Sequence, residues 1–483
     1  MLLISYIYLS VPNMEDVTVT VGFVDVKELR DTKPSSLPLS GSVMGVLNEQ
    51  GHWVMPRPGN QPAIDFLAAL EANTAMTIPS ILELSAEKYG SAECLGTRKL
   101  LERTVIEENG KLTEKLTLGG YSFLTYRETQ EMVVKFSRGL NAIRRGKHDK
   151  VAFFAETRAD WIIAALGCFY QGLVVVTVYT TLSNSNIVTS LQEVGVNLLI
   201  TSYELLPRVW KVLPELPNIK QLVVMEDQLE GAGTVPDEFK YLHVTPFQHV
   251  LRIGETCRGS LKKPKTEDLA VIMYTSGSSG RPKGVLLSHH NIVYSVMSFC
   301  MKVSFGLGDR YLAFLPVAHV YEFTTEFGLL AMGVAIYFGS MKTMTGKSPM
   351  IKEGTLGDAQ VAMPTYMNAV PLVLNRIITS VNQASIERGF FKQKIFQAAL
   401  SIGRRETTPR FVNNMLSALI GYGATETTAC VTGTSPYDRR TGLCGGPNFG
   451  VYLRLIDWEE GGYFTTDKPY PRGEVLVAGD CVS

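Results

Sequence analysis

Between Thr77 and about Leu261 the sequence alternates helix-patterned stretches with short, wholly apolar runs, and few architectures accept that alternation. Residues 126–144, 158–170, 183–193 and 205–212 space their apolar positions as helices do. Between them, residues 151–154, 174–179, 197–201 and 221–225 read as strands. Strands that are apolar throughout, rather than at every second position, belong in a sheet covered on both faces. Strand and helix in turn mean parallel strands joined by helical crossovers. The expected fold class is therefore α/β, with parallel sheets flanked by helices. Residues 262–268 form a polar linker into a further strand, 269–274. The pattern then becomes more mixed, and strand-like pieces at 451–456 and 474–478 predict a small β-rich subdomain. No internal repeat or low-complexity segment interrupts the chain.

Two uncharged stretches raise the membrane question. Residues 161–182 are long enough to span a bilayer, which needs about 20 apolar residues. Gln171-Gly172 breaks the run, however, and Val174-Val175-Val176-Thr177-Val178-Tyr179 is a β-branched strand signal. A buried helix followed by a buried strand is expected there. Residues 1–11 (MLLISYIYLSV) are too short to cross, and lack the basic start and cleavage site of a secretory signal. They read as a shallow or incomplete membrane anchor, with a disordered or buried N-terminus as the alternative, leading an extension over residues 1–76 that lies outside the fold.

Composition excludes one large class of partner. The 483 residues contain 46 Lys plus Arg against 46 Asp plus Glu, which leaves no net field to attract nucleic acid. The hydrophobic fraction of 45% is that of a globular protein of more than one domain. Seven cysteines are scattered, with no Cys-x-x-Cys pair, and imply free thiols in a reducing compartment.

The chemistry concentrates in Tyr274-Thr275-Ser276-Gly277-Ser278-Ser279-Gly280-Arg281-Pro282-Lys283-Gly284, between two apolar strands. Glycines let a backbone bend and aim N–H groups at anionic oxygens. Thr275, Ser276, Ser278 and Ser279 add hydroxyl donors, and Lys283 adds a full charge, an inventory suited to a polyphosphate. It is not a Walker A loop, because Pro282 stands where the second glycine belongs and a strand follows.

This loop resembles the AMP-binding signature of the adenylate-forming enzymes, which include acyl-CoA synthetases, luciferases and peptide-synthetase adenylation domains. Ser288-His289-His290-Asn291 fits the same pattern, with Ser288 as a helix N-cap. Phe314-Leu315-Pro316-Val317-Ala318-His319-Val320-Tyr321-Glu322 resembles the family segment that carries a site histidine. Alone, His319 would more often be a satisfied core residue; the matching neighbours reverse that. Gly421-Tyr422-Gly423-Ala424-Thr425-Glu426-Thr427 resembles the adenine- and magnesium-binding motif. Tyr422 can stack on a base, Gly423 permits close approach, Thr425 can bond a phosphate oxygen and Glu426 can hold Mg²⁺. Leu95-Gly96-Thr97-Arg98, the stretch 156–161 (ETRADW) and the stretch 457–463 (DWEEGGY) are similar to the long-chain branch.

The resemblance, over residues 77–483, implies an incomplete adenylation domain that activates long-chain fatty acids with ATP, Mg²⁺ and CoA. It assigns catalysis to Lys283, Thr425, Glu426 and His319. It assigns nucleotide binding to Thr275, Ser276, Gly277, Ser278, Ser279, Gly280, Tyr422, Gly423 and Thr425, and the metal to Glu426. It also implies work at the cytoplasmic face of a membrane, the endoplasmic reticulum or another organelle, and a homodimer. Departures are expected to matter. The connection from Arg404 to Ile420 is too short for the strand and turn that the resemblance places there. Gly479-Asp480 stands too close to the preceding strand to be a ribose-binding pair, and a lysine-bearing domain belongs beyond Ser483. The alternative is an impaired relative that binds nucleotide or fatty acid without turnover.

Overall fold

A computed structural model describes residues 2–8, 46–48, 51–55, 60–73, 76–108, 110–144, 149–275, 281–370, 373, 416–429, 431–434 and 444–483. In chain order the strands begin β1 (Leu2–Tyr8), β2 (Val46–Leu47), β3 (Trp53–Val54), β4 (Glu93–Glu108) and β5 (Lys111–Thr125). There follow β6 (Lys150–Phe154), β7 (Val174–Thr177), β8 (Leu198–Ser202), β9 (Gln221–Met225) and β10 (His243–Pro246). Next come β11 (Leu269–Thr275), β12 (Lys283–Ser288), β13 (Arg310–Ala313), β14 (Ala335–Phe338) and β15 (Tyr366–Ala369). Last are β16 (Leu416–Tyr422), β17 (Thr432–Gly433), β18 (Gly446–Pro447), β19 (Val451–Ile456) and β20 (Glu474–Gly479).

The chain divides into two units. The larger comprises Gln61–Cys300 and Phe305–Pro364; the smaller comprises Met1–Asn60, Met301–Ser304 and Thr365–Val482. The division expected at residues 76 and 77 is therefore not where the packing divides. The helix Gln61–Ala72 buries Ala63, Phe66, Leu67 and Leu70, so this part of the expected extension is inside the fold.

The larger unit holds a seven-stranded sheet in the order β10-β9-β8-β6-β7-β11-β12. Every neighbouring pair is parallel except β11 with β12. Every residue of β7, β8 and β9 is buried, which is why these strands show no alternation in sequence. The uncharged stretch 161–182 resolves as expected, into the buried helix Ala159–Phe169, a turn at Gly172 with φ 62°, and β7. No described helix is long and apolar enough to cross a membrane. The unit also contains neighbouring strands in the order β13-β14-β4-β5. Here β4 and β5 form a long antiparallel hairpin that turns at Gly110, φ 73°. Arg98 on β4 is buried and reaches Asp358 at 3.0 Å, while also donating to the carbonyls of Gly119 and Leu356. Sequence reading missed both the hairpin and this ion pair.

The smaller unit holds five neighbouring strands in the order β18-β17-β16-β1-β15, and the antiparallel sheet β2-β3-β19-β20. The latter is the expected β-rich subdomain, with β19 and β20 paired from Val451↔Gly479 to Ile456↔Glu474. Its core of Val431, Val451, Leu453 and Cys481 is flanked by Trp53, Tyr422 and Val477. β1 overturns an expectation. It lies parallel between β15 and β16, from Leu2↔Leu416 to Tyr8↔Tyr422. A strand whose backbone is engaged on both sides is a sheet element rather than a peptide lying in a lipid interface. The anchor assigned to residues 1–11 gives way for Leu2–Tyr8.

Candidate functional site

In the larger unit, β6, β7 and β11 are parallel and finish at one end of the sheet. Open α/β sheets bind ligands beyond that end of their strands. The chain leaving β11 turns back into β12, and the last pair of this hairpin is Thr275 opposite Lys283. The two termini of the glycine- and serine-rich loop are thus held across one ladder rung. Ser276, Gly277, Ser278, Ser279 and Gly280 lie outside the described residues. Lys283 is exposed, and Thr275 Oγ1 approaches the Lys283 carbonyl at 3.5 Å. One residue before Thr275, the buried Tyr274 places its hydroxyl 3.0 Å from the Ser190 carbonyl and 2.8 Å from the Glu193 carboxylate. Burial, then Glu193, raises the pKa of that phenol. These contacts fix the hairpin to the helix Asn184–Val194. Past β12, Ser288 Oγ accepts from the Asn291 N–H at 3.2 Å and Asn291 Oδ1 accepts from the Ser288 N–H at 3.0 Å, the expected cap.

His319 stands at the same end of the sheet. The Thr157 hydroxyl, beyond β6, donates to the Leu315 carbonyl at 2.7 Å and accepts from the Val317 N–H at 2.8 Å. Thr177, the last residue of β7, donates to the Ala318 carbonyl at 3.0 Å. The segment is thus tied to two strand ends, and His319 follows as the N-cap of the helix Val320–Ala331. Its Nδ1 accepts from the Tyr321 N–H at 3.1 Å. Burial lowers its pKa to about 4, so the imidazole is neutral at pH 7. A neutral ring with Nδ1 accepting carries its proton on Nε2, and that nitrogen is a donor. The Tyr179 ring packs beside it at 5.8 Å. Sequence reading found His319 and missed Thr157, Thr177 and Tyr179. Their signal was position: each ends or follows an apolar strand.

The same helix buries two carboxylates one turn apart. Tyr311 Oη lies 2.8 and 2.7 Å from the two oxygens of Glu322. Neither oxygen of Glu326 has a hydrogen-bond partner among the described residues. Burial, then Glu322, raises the Glu326 pKa well above the usual carboxylate range.

Tyr422, Gly423, Thr425 and Glu426 belong to the smaller unit. β16 ends at Tyr422, which is half-buried; Gly423 and Thr425 are buried and Glu426 is exposed. The Ala424 N–H donates to Thr427 Oγ1 at 2.9 Å and the Ala429 N–H donates to the Ala424 carbonyl at 3.0 Å, which folds the motif into a tight turn. Thr428 and Ala429 follow with φ of 48° and 81°. Thr428 Oγ1 donates to the Cys481 carbonyl at 2.6 Å, and the Val431 N–H donates to the Tyr422 carbonyl at 2.9 Å as the chain turns back. Lys302 secures the next strands: its Nζ donates to the carbonyls of Gly433 at 2.6 Å and Gly446 at 2.8 Å, and to Asn448 Oδ1 at 2.7 Å. The result exposes one carboxylate, Glu426, on a turn whose backbone is pinned from behind.

The model of a family described as AMP-binding enzyme matches residues 101–483. Long chain acyl-CoA synthetase 8 of Arabidopsis thaliana is 33% identical over 459 residues, 85% of this chain and 64% of that protein. Long-chain-fatty-acid–CoA ligase 2 of Schizosaccharomyces pombe is 28% identical over 467 residues, 84% of this chain and 67% of that protein. The chain thus spans under two thirds of the Arabidopsis protein's length. Among solved structures, the A domain of a carboxylic acid reductase from Segniliparus rugosus, in complex with AMP and a co-purified carboxylic acid, superposes with a TM-score of 0.65. It is 20% identical, over 84% of this chain and 68% of that one, which establishes a shared fold.

Proposed function

The chain belongs to the AMP-binding enzyme family, and from that premise we propose that it activates long-chain fatty acids with ATP and CoA. A carboxylate cannot acylate a thiol until one of its oxygens becomes part of a leaving group. In the proposed reaction it attacks the α-phosphorus of ATP, forming an acyl-adenylate and releasing pyrophosphate; the CoA thiol then displaces AMP. Neither step needs a covalent bond to the protein. What the protein supplies is placement of anions and stabilisation of charge.

One observation carries the reading: Thr275 and Lys283 face each other across the hairpin at the ligand-binding end of a parallel sheet. A lysine held on a ladder rung delivers its charge to phosphate oxygens from a fixed base. His319, neutral and with Nε2–H as donor, suits a carboxylate or phosphate oxygen without adding charge. Tyr422 and Gly423 are assigned to the adenine, and Thr425 to a phosphate. An exposed glutamate beside a hydroxyl is a hard-oxygen donor set, which fits Mg²⁺ shared with substrate phosphates, and Glu426 would hold it. When bound, the ion would neutralise phosphate charge. The two named relatives are a synthetase and a ligase of long-chain acids, which supports the substrate class; no comparison supports the binding-only alternative. Because such acids partition into bilayers, the reading places the working chain at a membrane surface, in a compartment the residues do not specify.

The test is fatty-acid-dependent exchange of labelled pyrophosphate into ATP. Label in ATP with a long-chain acid, and far less with Lys283→Ala, is expected. Nucleotide binding without exchange in a chain continued to the length of its relatives would refute the proposal.

A further inference from the structure

β16 carries the Tyr422–Thr427 turn, and its placement rests on an unexpected neighbour. Its pairing with β17 consists of Gly421↔Gly433 and Tyr422↔Thr432, both at its end. Its pairing with β1 covers all seven residues, Leu416 to Tyr422. β1 is therefore the principal partner of β16, and it also pairs with β15 from Leu3↔Tyr366 to Tyr6↔Ala369. Without β1, the open side of β16 would present a row of unpaired N–H and C=O groups, which a sheet interior does not tolerate. The β1 sequence, LLISYIY, suits this slot. It is apolar except for Ser5 and rich in isoleucine and tyrosine, the composition of a parallel strand covered on both faces. The final rung pairs Tyr8 with Tyr422, immediately before Gly423.

We propose that Leu2–Tyr8 is a positioning strand for the nucleotide site: it fills the slot between β15 and β16 and thereby fixes the Tyr422–Glu426 turn. The proposal rests on the assignment of that turn to adenine nucleotide. The slot recognises an extended apolar peptide by backbone pairing, as in strand addition to a sheet edge, and the chain supplies that peptide itself.

The experiment uses the full chain in three forms. Ile4→Pro with Ser5→Pro removes one N–H facing each neighbour; Ile4→Val with Ser5→Thr keeps both donors and the strand preference. In the unaltered chain and the Val/Thr variant, hydrogen exchange should show residues 416–422 protected. In the Pro/Pro variant that protection should fall and ATP affinity should drop about tenfold or more, by the fraction of chains that keep the turn in place. The protection of β6 to β9 should remain. A synthetic peptide of residues 1–11 should restore both losses. Loss of protection with ATP affinity unchanged would reduce β1 to a structural strand and overturn the proposal, as would protection of 416–422 that survives the prolines. Should the Pro/Pro variant fail to fold, Ile4→Cys with Met367→Cys decides, because these residues are aligned across β1 and β15. Oxidation should join them, and failure to do so overturns the register. If the unaltered chain binds no adenine nucleotide, the functional reading fails, while exchange and crosslinking still judge the strand.

Discussion

The two units solve the same problem, that of satisfying a sheet's backbone, with different stretches of chain. In the larger unit, β6 to β9 lie within residues 150–225 and each parallel step is bridged by a helix or short crossover. In the smaller unit, β1 pairs with strands at 366–369 and 416–422, and β3 pairs with β19 through Trp53 and Leu453. Closing long loops costs entropy before any contact rewards it. The smaller unit compensates with point attachments such as the Lys302 ammonium and the Thr428–Cys481 hydrogen bond. The difference teaches where each unit is vulnerable. The larger should fail through its buried charges, and the smaller through its attachments.

The sharpest way to break that comparison is Arg98→Met, which strands Asp358 in the interior. Removing one partner of a buried pair costs about 3 to 5 kcal/mol, and denaturant unfolding should show it across β4, β5 and the residues around Asp358. Next is Lys283→Ala, exposed and so cheap in stability. Pyrophosphate exchange should fall about a hundred- to a thousandfold, some 3 to 4 kcal/mol of transition-state stabilisation, with the melting temperature unchanged. A parallel loss of stability would show that Lys283 is structural.

For the smaller unit, Lys302→Met removes the ammonium donor from three backbone carbonyls and from Asn448 Oδ1, and should cost about 2 kcal/mol. Hydrogen exchange should place the loss in β17 and β18, with β6 to β9 unaffected; uniform loss would erase the distinction between the units. The smallest effect is expected from His319→Gln. The folded-state pKa of about 4 lies below the ordinary histidine value of 6.5. The unfolded chain therefore binds more protons between those values, and stability present above pH 6.5 is lost as pH falls towards 4. The variant should lose about 1 to 2 kcal/mol less than the unaltered chain between pH 7 and pH 5, as read by thermal unfolding at each pH.

What the sequence disclosed follows the same line. β6 to β9, the helices between them, β11, β12 and the pair β19 and β20 were legible to within a residue or two, because each is defined by local pattern. The termini of the glycine- and serine-rich loop and His319 were legible because their residue types are unusual for turns and cores. β1 was misread for a physical reason. Six apolar residues around one serine look alike in a bilayer surface and in a parallel sheet, and only a partner more than 350 positions away, in β15 or β16, separates the two. The Arg98–Asp358 pair was invisible for the same cause: an arginine reads as surface until the carboxylate that pairs with it is known. Thr157 and Thr177 act through hydroxyls on remote carbonyls, and position at or after an apolar strand marks the residue without naming the carbonyl it meets.

The turn after Glu426 has a consequence for anyone who would improve this protein. Thr428 and Ala429 both take positive φ while carrying side chains, where glycine would sit about 1 to 2 kcal/mol more comfortably. Glycine would also let the chain swing to the opposite hand and widen its unfolded repertoire. The present residues keep this shape against their own backbone preference, held by the Thr428 hydroxyl on the Cys481 carbonyl and the Ala429 N–H on the Ala424 carbonyl. Libraries screened for heat resistance alone would therefore be drawn to Ala429→Gly.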